Sequence, residues 1–131
     1  MRLSGSAQTL REQRYGSHLP TFSTIVAIAR DSALLRSLSF ALEAHGYTVR
    51  AFSSWRSARG NVDAAGCVIL DGALPLSEKN ACLGVLERGL RVVLLAEDEA
   101  AVPRRLGLQV LPKPLSGADL LSAVASIRID P

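Results

Sequence analysis

The stretch Cys67–Pro75, "CVILDGALP", carries four apolar residues in a row, stops at one carboxylate, Asp71, and continues through Gly72 to Pro75. A run so short and so evenly apolar has no solvent face. It reads as a strand buried on both sides, the pattern of a parallel sheet covered by helices. Such a strand ending on an acid raises the question of what that acid meets.

Working outward, the same alternation recurs. "TIVAIA" (24–29) is a second largely apolar strand, and "DSALLRSLSFALEAHGY" follows it as a helix. Asp31 is a candidate N-cap there, Leu34, Leu38, Ala41, Leu42 and His45 share a face, and Gly46 closes the turn. "TVRAF" (48–52) reads as a strand and "SSWRSARG" as a short capped helix or turn ending at Gly60. After Asp71, "SEKNACLGVLERG" predicts a helix capped at Ser77 and stopped by Gly89, and "RVVLLA" (91–96) a fourth strand. "DEAAVPRRLG" admits at best a short helix, because Pro103 fits only in a first turn. "LQVL" (108–111) is the fifth strand, and "SGADLLSAVASI" a final helix. Ser116 and Asp119 have capping-box spacing, with Leu120, Leu121, Val124 and Ile127 facing inward.

Five buried strands alternating with helical segments predict an α/β fold. The expected form is a doubly wound five-stranded parallel sheet, simplest order 2-1-3-4-5, with a shortened fourth helix. Ligands and reactive groups in such sheets gather at the carboxyl ends of the strands, which puts Asp71 at the mouth.

Composition bounds the rest. With 131 residues, 48% of them hydrophobic, one core is expected, in a single domain over residues 23–131. Residues 1–22 are polar, carry Arg2, Arg11 and Arg14 and show no periodicity, so they read as a tail. It is either a leader outside the core or a segment packed on a neighbouring subunit or on its own domain. No apolar run reaches the roughly 20 residues of a membrane span, and the start lacks a signal's apolar centre, so a cytoplasmic protein without membrane contact is expected. Cys67 and Cys82 have no metal-ligand spacing and read as buried thiols. The net charge of +3 arises from 13 arginines and two lysines against 12 acids. Those arginines are dispersed along the chain, which argues against nucleic acid.

Enzyme chemistry is missing its parts. No Gly-rich turn follows the first strand and there is no nucleophile elbow. An aspartyl-nucleophile hydrolase built on Asp71 would need further acids for a metal. His18 and His45 lack partners at catalytic spacing, and Trp55 reads as a partly packed aromatic.

"CVILDGALP" resembles the phospho-acceptor strand of the response-regulator receiver domains of two-component signalling, and "LPKPL" (111–115) resembles their lysine-proline turn. "LLRSLSFALEAHGYTVRAF" is similar too, so the resemblance spans residues 24–127. It implies that Asp71 corresponds to the phosphorylatable aspartate, and Lys113 to the lysine that pairs with it or with its phosphoryl group. It also implies three departures. The acidic pair that holds Mg²⁺ in the family falls on Ala29 and Arg30, and the switch hydroxyl falls on Ala96. Lys79 stands where a glycine is common.

Mg²⁺ wants several oxygen ligands in near-octahedral array, and Asp71 alone is a poor site for it, so weak or absent binding is expected. Arg30 beside the acid would supply charge in the metal's place, either as an ion pair with Asp71 or as a partner for phosphate. Asp31, one position beyond the usual pair, either reaches the mouth as a substitute acid or caps its helix. The expected protein is a stand-alone, atypical receiver acting by protein interaction, with a sensor histidine kinase, another two-component protein or a second copy of itself as partner. Two alternatives stand beside it: a working phospho-acceptor phosphorylated on Asp71, and a small-ligand module that senses an anion through Arg30 and Lys113.

Overall fold

An apolar strand with helical sequence on either side needs cover on two faces, and the arrangement of the helices follows from that need. The computed structural model describes residues 24–98, 102 and 104–128. The expected tail over residues 1–22 lies outside them. Five parallel strands, β1 Thr24–Ile28, β2 Thr48–Phe52, β3 Cys67–Asp71, β4 Arg91–Ala96 and β5 Leu108–Pro112, form one sheet in the order β2-β1-β3-β4-β5. This is the 2-1-3-4-5 order that the sequence pattern predicts.

The helices are α1 Ser32–Glu43, α2 Trp55–Ala58, α3 Leu76–Leu83 and α4 Gly117–Arg128, with 3-10 turns at Val62–Ala64 and Gly84–Arg88. Alternation along each strand divides the core in two. Ile25, Ala27, Ile69, Val93 and Leu95 pack against Leu38 and Leu42 of α1 and Leu120 and Val124 of α4. Val26, Ile28, Val68, Leu70 and Val92 point the other way, onto Ala58, Val62, Cys82 and Val85. Every residue of β3 is buried. The two cysteines lie one in each layer, and burial pushes both thiols up to about 12, which leaves them protonated and unreactive at neutral pH.

Two local details differ from the sequence reading. The helix expected to start at a Ser77 cap begins at Leu76, with Pro75 in the N-cap position and no side-chain cap. Proline there presets the entry angle, and its carbonyl accepts the Lys79 N–H at 3.0 Å. The same segment tightens into a 3-10 turn at Gly84 and is closed by Gly89 at φ 85°. His45, expected on the inward face of α1, is exposed beyond the helix end, where its Nδ1 lies 3.2 Å from the Ala41 carbonyl. In "DEAAVPRRLG", residues 99–101 and 103 lie outside the described residues, and the described remainder holds no helix.

Gly72, directly after β3, ties the strand to its neighbour. Its N–H donates to the Leu95 carbonyl at 2.7 Å, and a Cβ at this position would sit 2.5 Å from that same oxygen. Gly72→Ala should therefore force β3 and β4 apart at the mouth and cost about 1–3 kcal/mol, the usual range for overpacking. Urea unfolding would register this as a lower midpoint at unchanged slope.

Candidate functional site

β1 and β3 lie side by side while their following connections leave to opposite faces, which opens a crevice at their carboxyl ends. Asp71, the last residue of β3, stands at that crevice with its side chain 5% exposed. A carboxylate so buried must be met by donors. Two reach its Oδ1: the Ala73 N–H donates at 3.1 Å across the turn, and the Lys113 ammonium donates at 2.6 Å. Lys113 is brought there by the sheet itself. It follows β5 directly, and its N–H donates to the Ala96 carbonyl at 2.9 Å, so the stem runs along the ends of β4 and β5 before the head turns to Asp71. The Lys113–Pro114 peptide is cis.

Arg30 does not join this pair, contrary to the expectation that it would bridge Asp71. Its Nη2 donates to Glu78 Oε2 at 2.9 Å, with the arginine side chain 63% exposed. The reason is local: Lys113 already neutralises Asp71, whereas Glu78, in the first turn of α3, presents a carboxylate with one oxygen to spare. Its other oxygen, Oε1, accepts the Trp55 N–H at 2.8 Å. That backbone bond, chiefly, and the Arg30 guanidinium next hold the Glu78 carboxyl below the usual range. Glu78 thus ties together the turns after β1, β2 and β3, a role the sequence reading missed. A glutamate in a helix's first turn is ordinary in sequence, and only the tertiary neighbours distinguish this one.

Asp31 caps α1: its Oδ1 accepts the N–H groups of Ala33 at 2.9 Å and Leu34 at 3.3 Å. That geometry turns one oxygen of its carboxylate to the helix. Ala29 is buried at the end of β1 and Ala96 nearly so at the end of β4, so methyl groups stand at both positions. Lys79, the residue in place of a common glycine, folds back onto the turn, its Nζ donating to the Gly72 carbonyl at 3.0 Å. The mouth therefore assembles Asp71 and Lys113, turns Arg30 aside and uses one oxygen of Asp31 to cap α1. Arg30 and Lys113, the two cations of the anion-sensing alternative, each hold a different carboxylate.

No protein-family model matches the chain. Among solved structures it is similar to the chemotaxis response regulator CheY4 of Vibrio cholerae, with TM-score 0.68 and 16% identity over 82% of this chain and 99% of that one. It is similar also to a two-component response regulator from Clostridium difficile, with TM-score 0.69 and 19% identity over 80% and 94% of the two chains. At such identities these likenesses speak to the fold. Sequence carries further: the chain is 34% identical over 107 residues to the transcriptional regulator protein FixT of Rhizobium meliloti, covering 81% of this chain and 93% of FixT. The chain belongs to the family of the FixT regulator, and its fold is that of the response-regulator receiver domains.

Within this receiver the Asp71–Lys113 pair is the element most exposed to a single change. Removing the lysine leaves a buried carboxylate without its charge partner, which costs about 3 kcal/mol or more. Lys113→Ala should show that loss in chemical denaturation, and pairing Asp71→Asn with Lys113→Met should restore most of it. Glu78 makes a second, pH-dependent prediction. Its carboxyl is lowered in the folded receiver, so its contribution to stability is present above the ordinary glutamate value and fades as pH falls through the depressed one. The stability gap between the wild type and Glu78→Gln should thus be full at neutral pH and close only as pH falls below the ordinary glutamate range.

Proposed function

We propose that this receiver is an atypical response regulator that works by binding protein partners of two-component signalling, a sensor histidine kinase foremost, with Mg²⁺-dependent phosphorylation of Asp71 weak or absent. One observation carries the reading: Lys113 answers the charge of the buried Asp71, and Asp31, the nearest acid to the family's acidic pair, has one oxygen held by the N-terminus of α1. Ala29 and Arg30 stand where the family places its acidic pair. Asp31 caps α1, and among the described residues no group of three or more His, Cys, Asp or Glu side chains is arranged to hold a metal ion. This donor set does not fit a hard, octahedral cation.

Ala96 bears on the step after phosphorylation. A methyl group cannot donate the hydrogen bond by which a hydroxyl would draw the β4 end toward a new phosphoryl group, so the two-state shift that such a bond biases loses its handle. Binding surface is present instead. A groove of about 760 Å³ runs between α1 and α4 beside Lys113, with Leu34, Leu38, Leu115 and Leu120 along its floor and Ser37 and Ser116 on its rim. Its shape suits an amphipathic helix of a partner. FixT, by its name a regulator of transcription, is a relative in keeping with a regulatory role. The second reading, a working phospho-acceptor, draws on the retained contact between Asp71 and Lys113.

The deciding experiment is titration with beryllofluoride across Mg²⁺ concentrations, read by Trp55 fluorescence. No saturable change at millimolar Mg²⁺ is expected from the wild type, whereas the pair Ala29→Asp with Arg30→Asp should gain Mg²⁺-dependent binding that Asp71→Ala removes. Mg²⁺-dependent binding by the wild type, lost in Asp71→Ala, would establish the phospho-acceptor reading in its place.

A further inference from the structure

β2 is an edge strand, and its backbone polarity can be read from one hydrogen bond. The Phe52 carbonyl accepts the Ala29 N–H at 3.1 Å, so Phe52, and by alternation Arg50 and Thr48, direct their peptide groups toward β1. Val49 and Ala51 therefore direct theirs outward, along an edge that no other strand among the described residues covers. Native edges are usually blunted by a covering segment, a proline or a bulge; β2 carries no proline, and its five-residue register with β1 is unbroken.

Beside this edge the side chains form a receptive surface. On the α1 side a groove of about 470 Å³ is lined by Leu35, Arg36, Ser39, Phe40, Glu43 and Ala51. Phe40, 80% exposed, is an unusually bare aromatic for a helix in a small domain. On the opposite face Arg50 is exposed, and Arg56 and Arg59 follow on α2 and its C-cap, also exposed. None of Arg36, Arg50, Arg56 and Arg59 has an ion-pair partner among the described residues, and Glu43 is the one acid lining the groove. Basic side chains thus flank this edge on both of its faces.

We propose that the outer edge of β2, with its groove against α1, docks an extended acidic segment of a partner protein, which adds to the sheet as a sixth strand. Strand addition draws its affinity from main-chain hydrogen bonds, here to Val49 and Ala51, and its specificity from alternate side chains. An apolar side chain of the incoming strand enters the groove at Leu35 and Phe40, while acidic ones meet Arg36 on one face and Arg50, Arg56 and Arg59 on the other. The charge excludes the chain's own leading residues as the occupant, since residues 1–22 carry Arg2, Arg11 and Arg14 against a single acid, Glu12. This surface is separate from the Asp71 mouth and does not depend on whether Asp71 is phosphorylated.

The test uses the full chain and a fluorescein-labelled peptide of alternating glutamate and valine, followed by fluorescence polarisation at moderate salt. Saturable binding is expected. Ala51→Pro removes an outward N–H at a position where an edge strand tolerates proline, and should weaken binding about tenfold or more, as a lost main-chain bond and its neighbours would. Arg56→Glu with Arg59→Glu, both exposed and outside the core, should weaken it similarly while leaving the thermal unfolding midpoint in place. Absence of saturable binding would overturn the proposal. So would binding that heparin displaces and Ala51→Pro leaves intact, because that pattern belongs to a general polyanion surface.

Discussion

A strand buried on both faces can end on a charge only where the fold supplies a partner for it, and in this receiver that partner is Lys113. The 2.6 Å contact with Asp71 joins β3 to the end of β5 across β4, so the carboxyl edge of half the sheet closes around one ion pair. The Gly72 N–H on the Leu95 carbonyl and the Lys113 N–H on the Ala96 carbonyl hold the two residues in register. The pair draws its strength from that setting, where neither charge is fully hydrated and both are fixed by backbone bonds.

A second polar centre, around Glu78, stabilises the other half of the same edge. By accepting from Trp55 and pairing with Arg30, it fastens the turns that follow β1 and β2 to the start of α3. The mouth is thus held by two separate carboxylates, each with its own cation. In a receiver whose acids gathered around a metal, those charges would be pooled at one point. Here they are distributed, and Arg30 fastens a loop to Glu78. This distribution is what favours binding through surfaces over chemistry at the mouth in the proposed function.

Much of the fold was legible because its signals are local. Runs such as "CVIL" and "RVVLLA" announce two-sided burial, Gly46 and Gly89 mark turns with positive φ, and Asp31 and Ser116 have cap chemistry that the structure places on the N–H groups of Ala33, Leu34 and Asp119. The start of α3 differs for an equally local reason: Ser77 is a better cap than proline by propensity, but Pro75 fixes the chain direction two residues earlier. Asp71 and Lys113, 42 residues apart, could be brought together in advance only through the strand order and the family likeness.

The sequence by itself determined the alternation of elements, the parallel sheet, the two-layered core and the position of Asp71 at a strand end, since each depends on periodicity and on residues near in the chain. Tertiary structure alone decided which charges meet. Arg30 falls on a position that the resemblance gives to a metal-holding acid, yet its guanidinium goes to Glu78, 48 residues away, while Lys113 meets Asp71. Ion pairing depends on distance and desolvation among groups remote in sequence, and neither is written in the pattern of any one segment.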